Sequence, residues 1–329
     1  MLRMTALSRY LFHHGQDEYK DRTSFPFPFH PPPPAKPRWK LFLEITRLHK
    51  FPLGSILIFW PCAWALAMAA YSVDLPLKSI MTQLSMYAIG STLLHSAACV
   101  INDICDVDFD RQVERTKSRP LPAGIISIRE ATTFLIVLTV AATSMLLLTS
   151  PTAGLVGLLG IFPLHALYPL MKRWTWWPQA WLGLAMNWGY PVAWLSITTL
   201  NLPVVATFFC GTICWSIFYD TIYACQDRED DVKAGVGSTA VLFGSWIRPI
   251  LTGFATTFIA CVVYAGMLNG QGLAYYVVSC GGGAIHMCWQ LLSWDMKLPS
   301  SCLAKFRSNG DLGYILLAGM LLDCYIRRQ

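Results

Sequence analysis

Residues 102–110 carry four side chains whose types and spacing could bind a cation. On an α-helix, Asp103, Asp106 and Asp110 lie at positions i, i+3 and i+7, so they share one face. Asn102 reaches the same face from one turn before Asp106. A helix end with this polar face is a candidate site for a metal ion.

Residues 220–231 repeat the arrangement, with Asp220, Tyr223, Asp227 and Asp231 at positions i, i+3, i+7 and i+11. Carboxylates crowded on one face repel each other unless a cation neutralises them. Mg²⁺ prefers oxygen ligands and commonly binds protein carboxylates together with substrate phosphates. Two facing acidic segments therefore predict Mg²⁺ and a bound diphosphate.

Basic residues near the acidic segments suit a phosphate-bearing substrate. Arginine contacts phosphate oxygens as a planar fork, whereas lysine acts as a point charge. Each basic residue could instead serve only as a topology signal beside a membrane span. The candidates are Arg47, Lys50, Lys117, Arg119, Lys172 and Arg173.

Long apolar segments must position these residues. Of the 329 residues, 54% are hydrophobic and only 13% are charged, against about 25% charged in an ordinary soluble domain. Runs of this length without strand-like alternation predict membrane-spanning helices. We expect about nine spans, at residues 53–71, 81–100, 131–148, 153–170, 177–197, 204–223, 247–267, 272–292 and 312–326.

Nine spans place most basic loops, both acidic segments and the N-terminus on one side of the membrane. The positive-inside rule makes that side the cytosol or its equivalent. Within the spans, Asn187 is polar at membrane depth and is therefore a candidate pocket residue. We interpret His165 as a packing residue, with a role in the pocket as the alternative.

Several function classes are disfavoured. The net charge of +6 sits in short loops, which argues against nucleic-acid binding. The 11 cysteines contain no CxxC pair, so a zinc site or disulfide framework is not expected. A cation transporter is the alternative of another class, but it would carry charges along its spans rather than on one side.

The N-terminal 46 residues differ in character from the rest. Residues 25–34 alternate Phe with Pro and end in four prolines, which is typical of an extended, poorly ordered tail. The tail is predicted to end in an amphipathic helix at the membrane interface. We therefore divide the chain into a tail, 1–46, and a membrane domain, 47–329.

Several motifs together resemble the UbiA superfamily of membrane prenyltransferases. They are N-D-x-x-D-x-x-x-D at 102–110, T-K-S-R-P-L-P-A-G at 116–124 and Y-D-T-I-Y-A-x-Q-D at 219–227. The stretch Y-P-L-M-K-R at 168–173 is similar to the 4-hydroxybenzoate polyprenyltransferase branch. The resemblance runs from about residue 47 to the last span.

The resemblance implies an all-α integral membrane protein, with a nine-helix bundle around a central cavity, that moves a prenyl group from a prenyl diphosphate to an aromatic acceptor. It implies two Mg²⁺ ions. We expect one on Asn102, Asp103, Asp106 and Asp110, and the other on Asp220, Asp227 and Asp231. Arg119, Lys172 and Lys117 would take up diphosphate charge, Tyr223 would position a substrate, and Arg47 would clamp an acceptor carboxylate. We expect no obligate protein partner.

Two departures bear on the acceptor. Phe51 separates Lys50 from a proline that often follows directly, and Gly237 stands where relatives often carry lysine. With the acid-containing N-terminal segment, these favour a farnesyl donor and a polyketide-derived phenolic acid in meroterpenoid biosynthesis, on an endomembrane. The alternative is 4-hydroxybenzoate in ubiquinone biosynthesis, at the mitochondrial inner membrane.

Overall fold

A computed structural model describes residues 36–114 and 116–329, except for the side chains of Asp230 and Ala234. Residues 36–37 precede the first described helix, and residues 1–35 of the predicted tail, 1–46, lie outside the described residues. Residues 38–329 form one compact unit. Every regular element in the described part is helical.

The described helices follow one another along the chain, with a longer connection at residues 111–127. In chain order they are α1 (Arg38–Ile45), α2 (Ser55–Ser72), α3 (Leu77–Cys105), α4 (Val107–Asp110), α5 (Ile128–Ser144), α6 (Pro151–Leu159), α7 (Ala166–Trp174), α8 (Pro178–Asn187), α9 (Gly189–Leu195), α10 (Leu202–Ala224), α11 (Arg228–Ala234), α12 (Thr239–Leu242), α13 (Ile247–Asn269), α14 (Gly282–Ser293) and α15 (Pro299–Arg327). Shorter 3₁₀ turns are Leu48–Lys50, Met145–Leu148, Cys225–Asp227 and Gly244–Trp246, and π-helical turns are Gly160–His165 and Tyr275–Gly281.

Six helical segments of the described part are long and apolar enough to cross a membrane. They are Ser55–Ser72, Leu77–Cys105, Ile128–Leu148, Pro151–Trp174, Leu202–Asp227 and Gly244–Asn269. The other three predicted spans coincide with helices that are interrupted or more polar: α8 and α9 break at Trp188, α14 follows a π turn, and α15 carries charges. The structure thus supports the helical membrane fold and leaves the count of nine as a prediction.

α2 lies at the centre of the packing. Its span is 83% buried by protein, whereas Ile128–Leu148 is 17% buried and so faces outward. α2 packs against α3, α9 and α15, and its many alanines allow close approach of these neighbours. Trp64 of α2 packs against Trp215 of α10, with ring centroids 5.0 Å apart. This core fixes the helix ends that carry the polar residues.

Candidate active site

The first acidic segment straddles the end of a helix. α3 ends at Cys105, Asp106 occupies the turn, and α4 begins at Val107. The backbone turns at Asp106 between the two helices, so residues 102–110 do not form one uninterrupted helix. Asp106 bonds to Asn102 and Arg173, whereas Asp103 and Asp110 share Arg119.

Asp103 is held by a bidentate ion pair with Arg47. Arg47 donates from one terminal nitrogen to Asp103 Oδ1 at 2.6 Å and from the other to Oδ2 at 3.0 Å. Asp103 is 1% exposed and Arg47 20% exposed, so water screens this pair weakly. Arg47 lies in the left-handed region with φ 63°, just before the turn Leu48–Lys50. Residues other than glycine seldom adopt this backbone conformation. The Arg47 guanidinium thus contacts a residue that lies 56 positions later in the sequence.

Arg119 joins the two ends of the first segment. Its guanidinium lies 2.9 Å from Asp110 Oδ2 and 3.5 Å from Asp103 Oδ1. Asp103 and Asp110 therefore lie on one side, as their spacing predicts. Thr116 supports the loop by donating its hydroxyl to the Asp110 carbonyl at 2.9 Å. One partly buried arginine thus contacts both Asp103 and Asp110.

Asp106 takes a different set of partners. The Asn102 amide donates to its Oδ2 at 3.2 Å, and Arg173 donates to its Oδ1 at 3.2 Å. Arg173 also donates to the Cys105 carbonyl at 2.9 Å and lies over the Phe109 ring at 4.9 Å. Burial raises the pKa of the Asp106 carboxyl above its ordinary value, although the nearby Lys172 charge opposes the rise.

The second acidic segment also crosses a helix end. α10 ends at Ala224, the 3₁₀ turn Cys225–Asp227 follows, and α11 continues from Arg228. The charge of Asp227 acts on the Asp220 carboxyl, so the two residues lie near each other. The half-buried Tyr223 ring packs on Phe306, with centroids 4.5 Å apart. Asp231 lies on α11 and is partly exposed.

Lys172 connects the two acidic segments. Near the end of α7, its exposed ammonium acts electrostatically on both Asp106 and Asp220. Tyr168, one turn earlier, lies within range of the same two carboxylates. Two motifs more than 100 residues apart in sequence therefore converge on one face of α7. The sequence contained Tyr168 in its Y-P-L-M-K-R motif, but nothing local indicated its position between them.

Three other predicted residues have different surroundings. Lys117 pairs with Glu114 at 2.6 Å on an exposed loop. Asn187 is fully buried, and its amide nitrogen bonds to Gly183, Thr212 and Ser216, which ties α8 to α10. Lys50 is exposed at the end of its 3₁₀ turn. Their proposed substrate contacts stay predictions.

Gly237 allows two backbone segments to touch. Its N–H donates to the Lys172 carbonyl at 2.9 Å. A Cβ at this position would lie 2.4 Å from the Thr175 carbonyl oxygen and 3.2 Å from the Trp176 Cα. A lysine at position 237 would therefore require a different path for the loop after α7. The glycine here places the loop after α11 directly on the end of α7 that carries Lys172.

The chemistry of the donors fits a hard cation, since both segments offer carboxylate oxygens and Asn102 adds an amide oxygen. Their arrangement is dominated by arginine contacts to Asp103, Asp106 and Asp110. Within residues 36–114 and 116–329, no group of three or more His, Cys, Asp or Glu side chains converges closely enough to hold a metal ion. A cation would have to compete with guanidinium groups for these carboxylates.

The two acidic segments together with Arg47, Arg119, Lys172 and Arg173 form the polar cluster. A separate apolar cavity lies between the helices of the membrane domain. Helices α2, α3, α5 and α6, the π turn after α6, and helices α8 and α9 contribute to its wall. Its lining includes Tyr87, Leu94, Met145, His165, Met186 and Trp188. His165 directly precedes α7, so the cavity and Lys172 are connected by one short helix. Asn187 is not among the lining residues.

The chain is similar to known proteins over most of its length. Residues 58–314 match the model of the UbiA prenyltransferase family. The chain is 46% identical over 284 residues to the UbiA prenyltransferase claS of Ampulloclitocybe clavipes, covering 86% of this chain and 90% of that protein. It is 39% identical over 289 residues to the mitochondrial 4-hydroxybenzoate polyprenyltransferase of Schizosaccharomyces pombe, covering 87% and 80%.

Solved structures share the fold. A UbiA homologue from Aeropyrum pernix K1 matches with a TM-score of 0.67 and 23% identity, covering 81% of this chain and 97% of that one. A UbiA homologue from Archaeoglobus fulgidus bound to GPP and Mg²⁺ matches with a TM-score of 0.62 and 17% identity, covering 87% and 99%. At these identities the likeness establishes the fold.

Proposed function

Because the chain belongs to the UbiA prenyltransferase family and is an enzyme that transfers prenyl groups to aromatic acceptors, we propose that it joins a farnesyl group to a polyketide-derived phenolic acid. The donor would be farnesyl diphosphate, and the product would belong to meroterpenoid biosynthesis. The choice rests on the departures at Phe51 and Gly237 and on the acid-containing N-terminal segment, because the name of claS gives neither donor nor acceptor. The alternative is prenylation of 4-hydroxybenzoate with a longer donor in ubiquinone biosynthesis.

The observation that carries this proposal is the position of α7. Lys172 near its end acts on both acidic segments, and His165 before its start lines an apolar cavity. A prenyl diphosphate has the same two parts, a charged head and an apolar tail. We infer that the head binds at the polar cluster and the tail lies in the cavity.

We propose that the enzyme uses Mg²⁺ at the two acidic segments. Asn102, Asp103, Asp106 and Asp110 would hold one ion, and Asp220, Asp227 and Asp231 the other. When bound, magnesium would supply positive charge opposite the diphosphate. The Archaeoglobus homologue was solved with Mg²⁺, which supports the proposal by analogy. The arginines that hold the carboxylates here could turn to the diphosphate oxygens, since the same fork suits both partners.

The protein side chains then assist departure of the diphosphate. Arg119 and Lys172, with Lys117, would stabilise its growing charge as the allylic carbon–oxygen bond breaks. Arg173 and Lys50 would add further contacts to the head group, and Tyr223 would position a substrate. The aromatic ring attacks the allylic cation, and loss of a ring proton restores aromaticity. The apolar lining excludes water that would otherwise capture the cation.

Recognition of the acceptor carboxylate is assigned to Arg47. Its two terminal nitrogens both bond to Asp103 in this structure. An acceptor carboxylate would therefore share the guanidinium with Asp103 or replace it. Asn187 would act on the substrate only through the packing of α8 on α10, unless its buried Oδ1, which has no partner among the described residues, turns to the pocket.

We further propose nine spans arranged around the cavity, with the N-terminus and the polar cluster facing the cytosol. The six segments that meet the length and hydropathy criteria support the membrane setting. An endomembrane is favoured over the mitochondrial inner membrane. Residues 47–329 would form the membrane domain, and 1–46 an N-terminal tail.

A panel of acceptors tests the proposal. Membranes containing the enzyme receive radiolabelled farnesyl diphosphate and Mg²⁺, with either 4-hydroxybenzoate or methylated orsellinic-type acids. We expect prenylated product from the orsellinic-type acids. Efficient transfer to 4-hydroxybenzoate, improving with longer donors, would instead assign the enzyme to ubiquinone biosynthesis. No product from any aromatic acceptor, beside an active control enzyme, contradicts the proposal altogether.

A further inference from the structure

His165 lines the apolar cavity and has a ring nitrogen without a hydrogen-bond partner among the described residues. Its side chain is 9% exposed and lines the cavity. Its Nδ1 lies 3.1 Å from the Gly160 carbonyl oxygen. Its Nε2 is buried without a hydrogen-bond partner among the described residues. Burying a polar atom without a partner costs free energy, which favours a ligand that would pair with it.

The tautomer follows from the Gly160 contact. A carbonyl oxygen only accepts hydrogen bonds, so Nδ1 must carry the proton in that contact. In the neutral ring, Nε2 then presents a lone pair and can only accept. The partner that His165 lacks is therefore a donor, such as a hydroxyl group.

The local backbone fixes the position of the Gly160 carbonyl that pairs with His165 Nδ1. Residues Gly160–His165 form a π-helical turn that contains Pro163. Such turns are uncommon and occur frequently at functional sites. Gly160 has no Cβ, and one built there would lie 2.2 Å from the Trp188 ring, which is another part of the cavity wall. Close packing of Trp188 thus fixes the turn that supplies the Nδ1 partner.

His165 lies closer to the expected site of the acceptor than to the expected far end of the donor's prenyl tail. It lies seven residues before Lys172, about 10 Å along the helix and on the same face. Tyr168 stands between them and lies within range of both acidic segments. Tyr87, whose buried hydroxyl also has no partner among the described residues, lies 16 residues before Asp103, about 24 Å along α3. His165 is therefore the cavity group near the expected reacting carbon.

We propose that His165 Nε2 accepts a hydrogen bond from the hydroxyl group of the aromatic acceptor and so selects the ring carbon that is prenylated. The proposal rests on the proposed function, because it takes the acceptor to be a phenol. When the hydroxyl group is ortho or para to the reacting ring carbon, its hydrogen bond to His165 would hold that carbon at a fixed position relative to the donor. A site built to pair a substrate hydroxyl discriminates against an analogue that lacks it.

The test compares a phenolic acid with its O-methyl ether, which keeps an electron-rich ring but cannot donate. The enzymes are wild type, His165→Gln and His165→Met. Glutamine and methionine are similar in length, but only glutamine offers a strong acceptor. We expect wild type to favour the phenol by roughly 10- to 100-fold in kcat/KM. His165→Gln should keep most of this preference and the same product isomer, whereas His165→Met should lose the preference and give mixed isomers.

Thermal unfolding in detergent checks that each variant is folded, and its midpoint should lie close to that of the wild type. Wild type that prenylates phenol and ether equally overturns the assignment of His165, even if both variants fail to fold. A preference that survives in His165→Met overturns it as well. Wild type that prenylates neither compound contradicts the proposed function itself, which separates that failure from failure of this inference.

Discussion

Replacement of Arg47 by methionine should destabilise the protein strongly. The change removes two hydrogen bonds of 2.6 and 3.0 Å from Asp103, which is 1% exposed. Breaking a buried ion pair by removing one partner costs about 3–5 kcal/mol. Arg119 remains 3.5 Å from the same carboxylate and can offset part of the loss. We therefore expect the lower end of that range, about 3 kcal/mol in the free energy of unfolding.

The matched control is Arg38→Met. Arg38 pairs with Glu130, but their side chains are 66% and 40% exposed. Exposed pairs contribute about 0–1 kcal/mol, so this variant should be nearly as stable as wild type. Both variants are measured by equilibrium unfolding in detergent, followed by tryptophan fluorescence. The double variant Arg47→Met with Asp103→Asn should recover part of the loss, because it leaves no unpaired buried charge.

Equal stability of the Arg47→Met and Arg38→Met proteins would refute the reasoning. It would mean that Asp103 does not depend on Arg47 in the folded protein. A double variant no more stable than Arg47→Met alone would show that the loss comes from the backbone near residue 47 rather than from the buried charge.

Three further predictions concern substrate handling. Gly90→Leu should fill part of the cavity, because Gly90 lines it and the nearest atom to a new Cβ is 3.9 Å away. In competition assays this variant should shift the preference to shorter donors by about tenfold or more. The control Gly253→Leu, which has open space around it, should leave the preference unchanged. Lys172→Met should lower kcat by about 100-fold in steady-state assays, whereas exposed Lys297→Met should leave it unchanged. Gly237→Ala should reduce both activity and the unfolding temperature, because its Cβ would lie 2.4 Å from a backbone oxygen; a normal unfolding temperature would contradict this.

The sequence predicted the long apolar helices well. The first expected span, residues 53–71, corresponds to α2 at Ser55–Ser72, because hydropathy over about 20 residues is a local property. The fifth, 177–197, breaks at Trp188. The Trp188 Nε1 donates to the Val156 carbonyl at 2.7 Å, and Gly189 packs against Cys62. Both contacts are long-range, so hydropathy contains no signal for the break.

In the candidate site too, the sequence predicted the local spacing of residues but not the contacts between separate helices. Helical spacing placed Asp103 and Asp110 on one side, and Arg119 contacts both. Spacing could not reveal that Arg47 pairs with Asp103, 56 residues away, or that the Asp106 backbone leaves the helix. Such features depend on how separate helices pack, which periodicity within one helix does not encode.

The most direct test of the central claim measures whether the two acidic segments act together on a prenyl diphosphate. Purified enzyme receives labelled farnesyl diphosphate and an orsellinic-type acid, with Mg²⁺ or with chelator, as wild type and as Asp227→Asn. We expect wild type with Mg²⁺ to release one diphosphate for each prenylated aromatic product, and chelator or Asp227→Asn to abolish both. Product formed at the wild-type rate by Asp227→Asn in the presence of chelator would contradict the account.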